Sequence, residues 1–381
     1  SFVGWLVLEL GNQGTNELTN QGTKKPMFII ERRPKRSTLV RVVSPALAVL
    51  TALVFGALFL RLSGFDPLAV YEGMWRAAFG DAYGLSETLV KAIPIALCAL
   101  GITVAFRMNL WNIGAEGQLY AGAMAATWVA LTFPGAPTAV VLPAMTAAGM
   151  AAGALWALLS AVPRAWVGAN EILTTLMLNY VAVFLSEHLI HGPWKDPASF
   201  NFPLSPAFSE AARLPAFGDT RIHAGLLLAL AAAATLTVAL RKTKWGYELR
   251  LVGANPAAAT YAGIGIARHI LVAMAVGGAL AGLAGMTEVS AITGRLQYGL
   301  SPGYGYSAII VAWLAKLSPA GILVMSFLFG GLLVGGYAVQ VIGVPAAAVN
   351  MLQGAMLFFW LAAEFFGQYR VALRGRVREV R

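Results

Sequence analysis

From residue 42 to about residue 366 the chain alternates between long apolar runs and short polar breaks. The runs fall at 42–60, 88–106, 113–133, 138–162, 172–190, 223–240, 267–289, 303–318, 319–341 and 346–366. A helix of about 20 apolar residues crosses the hydrocarbon core of a bilayer. The pattern therefore predicts an all-α polytopic membrane protein, with about ten transmembrane helices in a domain spanning 42–366. The weakest boundary lies inside 303–341, where Lys316, Ser318 and Pro319 interrupt the apolar sequence.

The polar breaks give an orientation. If the basic arm 27–41 lies in the cytoplasm, the segments on its side of the membrane hold eighteen Lys and Arg, against six on the other side. Cytoplasmic loops are the basic ones, so both termini are expected inside, with a basic tail at 367–381. The longest inner connection is 241–266, and the long outer loops are 61–87 and 191–222. In the first outer loop Tyr71, Trp75 and Phe79 recur every four residues, which predicts an interfacial amphipathic helix. The second carries five prolines and predicts an ordered cap or docking surface without a helix. Residues 1–26 open on Ser1 with an apolar stretch too short to span, then turn polar. They read as a non-native or disordered extension, with Met27 as the native start.

Composition agrees: 58% of residues are hydrophobic and 12% charged, about half the charge of a soluble domain. A single cysteine, Cys98, excludes a disulfide framework and a cysteine-built metal site. The net charge of +10 would suggest nucleic acid in a soluble protein. Here it marks inner loops, and no nucleic-acid partner is expected.

No GxxxxGK[ST], HExxH or GxSxG sequence occurs, so the chain has no phosphate-cradling loop of its own and no hydrolase motif. It is not expected to be an enzyme. His188 and His191 have a spacing that can hold a metal on one helical face. With no cysteine or carboxylate cluster beside them they read as an interfacial polar pair, and no metal site is expected.

Polar residues inside apolar runs are more informative, because each costs free energy unless it faces a cavity or a partner. Asn109, Asn112, Glu116 and Gln118 stand among Gly114 and Gly117 at the start of the third run. Either the helix breaks there and presents polar groups to a solute, or Asn112 caps the helix and Glu116 pairs with Arg107. Glu171, Thr175 and Asn179 recur every four residues and form one stripe. Asn179, the deepest, predicts a helix–helix bond or a path lining. Asn350, Gln353 and Glu364 suit packing or interface roles. Gly299–Gly305 follows no strand and carries no lysine, and predicts a tight re-entrant turn. Between the sixth and seventh runs, Arg241, Lys242, Lys244 and Arg250 lead into Asn255-Pro256, a run of alanines and Gly263. That order predicts a short helix held outside the bilayer.

Four segments stand in order: NIGAEGQ at 112–118, NEILTTLMLNY at 170–180, GANPAAATYAGI at 253–264 and SPGYGYSAIIVA at 301–312. Together they closely resemble the permease subunits of bacterial ABC importers for nucleosides and simple sugars. GFDPLAVYEGMW at 64–75 and the Pro-rich outer loop resemble the larger of two paired permeases in the basic membrane lipoprotein-linked nucleoside branch. The resemblance covers about 28–370. It departs at Trp111, where a phenylalanine usually precedes NIG, and at AWLAKLSPAG, where the family more often has a run of small residues.

The resemblance implies a multi-pass permease of the bacterial inner membrane that forms the path for nucleoside uptake, with a simple sugar as the alternative solute. It implies a second permease subunit as a heterodimer partner, a cytoplasmic ATPase that binds the ATP and Mg, and an external solute-binding lipoprotein. This chain itself would hold no cofactor. Asn255, Pro256, Ala257, Ala258, Tyr261, Ala262, Gly263 and Ile264 would form the helix that couples to the ATPase, and its basic approach also suits anionic membrane lipid. Asn109, Asn112, Glu116, Gln118 and Asn179 are the residues expected to line the path. The rival reading, an ATP-independent secondary transporter, would use Glu116 and Glu171 for a coupling ion.

Overall fold

The computed structural model describes residues 28–32, 38–218 and 220–373. The 1–26 extension, part of the basic arm and the end of the tail lie outside the described residues, as does the Glu364 side chain.

Every predicted apolar run is occupied by a helix. They are α1 (Thr38–Leu62), α3 (Ala82–Phe106), α4 (Ala115–Thr132), α5 (Thr138–Val167), α6 (Glu171–His191), α7 (Gly225–Lys242), α10 (Ile266–Thr287), α11 (Tyr304–Leu314), α12 (Pro319–Gln340) and α13 (Ala346–Gln368). Between them lie α2 (Pro67–Phe79), α8 (Lys244–Ala254) and α9 (Pro256–Tyr261), and a π-helical turn Glu288–Thr293 extends α10. Among the described residues seven helices are long and apolar enough to cross a membrane, or eight if α1 and α2 count as one broken span. The two remaining runs fall short for physical reasons. α4 opens with Glu116 and Gln118 in its first turn. α11 has only 11 residues, about 16 Å of helix against a core of about 30 Å.

Helix ends follow local chemistry. The Asp81 carboxylate accepts the Gly84 amide at 2.6 Å at the start of α3. Asn170 accepts the Ile172 amide at 2.9 Å before α6, and Asn255 accepts the Ala258 amide at 3.1 Å before α9. Such caps satisfy amides that a helix start leaves unpaired. Pro319 begins α12 after Ser318 and the preceding pair Lys316 and Leu317, both in the left-handed region (φ 52° and 56°). The interruption seen in the sequence is therefore a real break between two helices.

The chain divides into two compact units. One holds α1 and α13, which pack together with Phe55 and Phe359 edge to face, ring centroids 5.9 Å apart. It also contains a feature absent from the all-α expectation. Phe28–Arg32 (β1) pairs antiparallel with Tyr369–Leu373 (β2), with Phe28 opposite Leu373 and Arg32 opposite Tyr369.

The other unit, Tyr71–Gly343, is built around α3 and α10. Helix α3 is buried along most of its length, and α10 packs against α3, α4 and α5. The α5–α10 crossing is a backbone contact: a Cβ on Gly153 would lie 2.8 Å from the Gly282 Cα and closer still to the Gly278 carbonyl. Small residues at helix crossings permit this approach. On α2 the buried side chains are Val70, Met74 and Ala78, so the predicted aromatic stripe lies beside the packed face. Trp75 is exposed, while Phe79 rests on the Phe327 ring of α12. Among its described residues the Pro-rich segment forms the short 3-10 turn Glu210–Ala212 and isolated bridges at Leu204 and Ala216. It is tied to the end of α10 by Ser290 Oγ donating to the Ala212 carbonyl at 2.7 Å and by the Ser205 amide donating to Leu296 O at 2.9 Å.

Candidate functional site

Between α3 and α4 the chain leaves helical geometry over residues 107–114, with Asn109 left-handed at φ 56°. This stretch is buried at Met108, Leu110, Asn112 and Gly114, so its amides need partners inside the protein. The α6 stripe supplies them. Glu171 Oε1 accepts the Trp111 amide at 3.3 Å, Thr175 Oγ1 accepts the Ile113 amide at 3.3 Å, and Asn179 Oδ1 accepts the Gly117 amide at 2.8 Å. The four-residue spacing seen in the sequence is the spacing of a hydrogen-bond ladder. Asn179 also donates to Ile113 O at 2.9 Å and to the Tyr306 hydroxyl at 3.2 Å.

The remaining sequence-selected residues are placed as follows. Asn112 Oδ1 accepts the Gly114 amide at 2.9 Å and the Gln118 amide nitrogen at 3.1 Å, joining Asn112 and Gln118 in one buried pair. Glu116 reaches away from Arg107 and accepts the Gly305 amide at 2.7 Å. Arg107 instead donates to the Leu317 carbonyl at 2.9 Å. Asn112, Glu116, Gln118 and Asn179 thus form one cluster, each at most 4% exposed. Asn109 stands apart: it is exposed, and its amide donates to the Gly253 carbonyl at 2.6 Å. Tyr306, 38% exposed, carries the cluster to an accessible surface. Asn350 is exposed and Gln353 buried on α13, and His188 and His191 are exposed at the end of α6.

A second polar group escaped the sequence reading. Lys91 of α3 donates to the Tyr304 hydroxyl at 2.9 Å, and that hydroxyl donates to Glu288 Oε1 at 3.4 Å. Lys91 Nζ lies 4.0 Å from the same carboxylate. Tyr304 is fully buried and Glu288 is 3% exposed. A lysine inside the apolar run 88–106 is the signal that could have found them, since an intramembrane charge demands a partner. The amide end of α11 is therefore held from two sides, by Glu116 on α4 and by the Lys91–Glu288 pair.

At the other end of α11, Phe106, Trp111 and Trp313 make a three-ring cluster in which the two indoles stack and Phe106 is tilted against both. Ring centroids are 5.1 Å (Phe106–Trp111), 5.7 Å (Phe106–Trp313) and 5.5 Å (Trp111–Trp313) apart. Beside it is the predicted short helix. Helix α8, not anticipated over 244–254, precedes it and is fixed by Glu248, which meets His269 Nε2 of α10 at 3.0 Å. In α9 and its flanks Asn255, Pro256, Ala257, Ala258, Ala262 and Gly263 are exposed, Tyr261 is 96% exposed, and Ile264 is half-buried. Gly263 takes φ 76°, the left-handed stop that glycine permits. These residues present one exposed surface at the end of α8.

The family model for the permease component of branched-chain amino acid transport systems matches residues 84–361, which include the ladder, both carboxylates and α8–α9. The chain belongs to that permease family. It is 39% identical to a glucose ABC transporter permease protein of Haloferax volcanii, over 87% of this chain and 90% of that protein. It is 32% identical to a guanosine ABC transporter permease protein of Bacillus subtilis (84% and 93%). It is 31% identical to a nucleoside ABC transporter permease protein of Lactococcus lactis subsp. cremoris (85% and 92%). No solved structure matches the chain. This permease is thus a transport component, multi-pass in the inner membrane.

Proposed function

We propose that this permease forms half of the solute path of an ATP-driven ABC importer, with nucleosides as its solutes. The observation that carries the coupling part is the α8–α9 hairpin, whose exposed, capped tip offers a partner ATPase a stiff handle. ATP and Mg would be bound by that ATPase; a second permease would complete the path, and an external lipoprotein would deliver the solute. The nucleoside assignment is supported by the guanosine and nucleoside permeases to which the chain is similar.

The excess of basic residues on one side supports ten crossings with both termini in the cytoplasm. α4 supplies one of the two crossings that length and apolarity leave out. Residues 294–314 supply the other as a loop followed by a half-helix, with Leu296, Leu300 and Tyr304 buried. Non-helical backbone at membrane depth is tolerated where protein covers it. The Asn112, Glu116, Gln118 and Asn179 cluster forms the path wall, with Tyr306 as its accessible edge. Amide and hydroxyl groups suit a neutral solute that must leave as readily as it enters. ATP-driven movement of the partner is delivered to this wall as rocking of packed helices.

The glucose permease, at 39% identity, favours a simple sugar as the second reading. Proteoliposomes containing the full complex test both. ATP-dependent uptake of labelled guanosine, with glucose failing to compete, is expected. Uptake driven by a proton gradient without ATP would overturn the ABC reading, and competition by glucose alone would move the solute to sugars.

A further inference from the structure

We infer that Asn109 and Gly253 form the joint through which the α8–α9 hairpin acts on an aromatic gate made by Trp111 and Trp313. The inference rests on the proposed role of α9 as the ATPase contact and concerns what that contact moves.

The joint is a backbone meeting rather than a loose touch. Gly253 lies in the last turn of α8, two residues before the Asn255 cap of α9. A Cβ there would lie 3.1 Å from the Met108 Cα and closer still to the Arg107 carbonyl, so only glycine lets the two segments sit this close. The Gly253 carbonyl takes the Asn109 amide at 2.6 Å. Asn109 is held left-handed at φ 56°, a conformation that asparagine tolerates better than most residues. The bond therefore links α8 to an irregular loop rather than to the body of a helix.

Two residues along that loop is Trp111. Its indole stacks on Trp313 at an interplanar angle of 29°, and both indoles are partly exposed. Trp313 stands in the last turn of α11, just before the left-handed pair Lys316 and Leu317, and Leu317 O is held by Arg107. One loop, 107–112, thus carries the hairpin contact at Asn109, one gate ring at Trp111 and a tie to the other ring's element at Arg107. The Trp111 amide is itself held by Glu171, and beyond it Ile113 and Gly117 are held by Thr175 and Asn179, so the ladder is the fixed side of the hinge and the pivot lies at Trp111. A pull on Gly253 displaces Asn109 and parts the indoles, while the ladder holds the start of α4 still.

The test uses the assembled complex with its second permease, ATPase and binding protein. Asn109→Gly removes the amide while keeping the left-handed backbone. Trp111→Cys and Trp313→Cys, in a Cys98→Ser background, report the gap by bismaleimide cross-linking. With Asn109 in place, trapping ATP is expected to lower cross-linking about tenfold, within the usual range of coupling between sites. With Asn109→Gly the cross-linking is expected to become insensitive to nucleotide, and solute-stimulated hydrolysis in the complex with both tryptophans to fall by a similar factor, although the subunits still co-purify. Gly253→Ala, which drives a methyl group onto the Arg107 carbonyl, is expected to repeat the result and decides the matter if Asn109→Gly fails to assemble. Nucleotide-dependent cross-linking and stimulated hydrolysis within about twofold of the parent in these variants would overturn the joint while leaving the ATPase contact standing. A parent complex that shows no ATP-dependent uptake would overturn both.

Discussion

The Asn179 side chain accepts the Gly117 amide at 2.8 Å and donates to the Ile113 carbonyl at 2.9 Å. One amide on α6 thereby closes the two loose ends of the break before α4. Replacing it with leucine orphans both backbone groups, at about 1–3 kcal/mol each. Asn179→Leu is expected to lower the melting temperature of the purified permease, and Asn179→Asp, which keeps the acceptor, to lower it less. A leucine variant that melts with the parent yet no longer transports would make Asn179 a solute contact instead of a brace.

Lys91 and Glu288 give a second stability test. Lys91→Met leaves a buried carboxylate without its cation, and removing one partner of such a pair typically costs about 3–5 kcal/mol. Adding Glu288→Gln to Lys91→Met is expected to recover most of that loss. Equal melting of the single and double variants would mean that the 4.0 Å pair is energetically idle.

At the hairpin, Gly263→Trp combines a left-handed backbone position with a large side chain on an exposed surface. The variant is expected to insert into the membrane normally and to lose about tenfold in solute-stimulated ATP hydrolysis, within the range of coupling energies between sites. Stimulation at the parental level would remove α9 from the ATPase contact.

His223, at the junction of the Pro-rich segment with α7, is buried, and desolvation first and Arg221 second pull its pKa down to about 4. Its Nδ1 accepts the Gly225 amide at 3.2 Å, which requires the neutral ring. The unfolded histidine takes up a proton near pH 6.5 and the folded one resists until about pH 4. The contribution is therefore complete above pH 6.5 and is lost as pH falls toward 4. Thermal melts between pH 7 and pH 5 should show a loss approaching about 1.4 kcal/mol per pH unit, absent in His223→Asn. A parent whose stability is flat over that range would contradict the assignment.

The helical runs were legible because each is long and largely apolar, and the short helix because Asn255-Pro256 and Gly263 bracket it. The α6 stripe was legible as a period, but its use was not, since the backbone groups it satisfies lie 60 to 66 residues earlier in the chain. Helix α8 was hidden by its charges: Lys244, Glu248 and Arg250 read as a loop until Glu248 found His269 across the hairpin. Lys91 and Glu288 were passed over because each sits inside an apolar run, where mean hydropathy hides a single charge. The terminal ribbon is a pairing between the two ends of the sequence, which no local pattern announces.

The amide end of α11 has one further consequence. A helix start attracts anions, but here the Tyr304 amide is taken by Ser301 Oγ at 3.0 Å and the Gly305 amide by Glu116, while the nearby lysine is shared by Tyr304 and Glu288. A phosphate group arriving at this half-helix meets electropositive groups that are already occupied. On the solute path proposed above, that arrangement would favour uncharged metabolites, and a nucleoside phosphorylated in the cell would find little to draw it back.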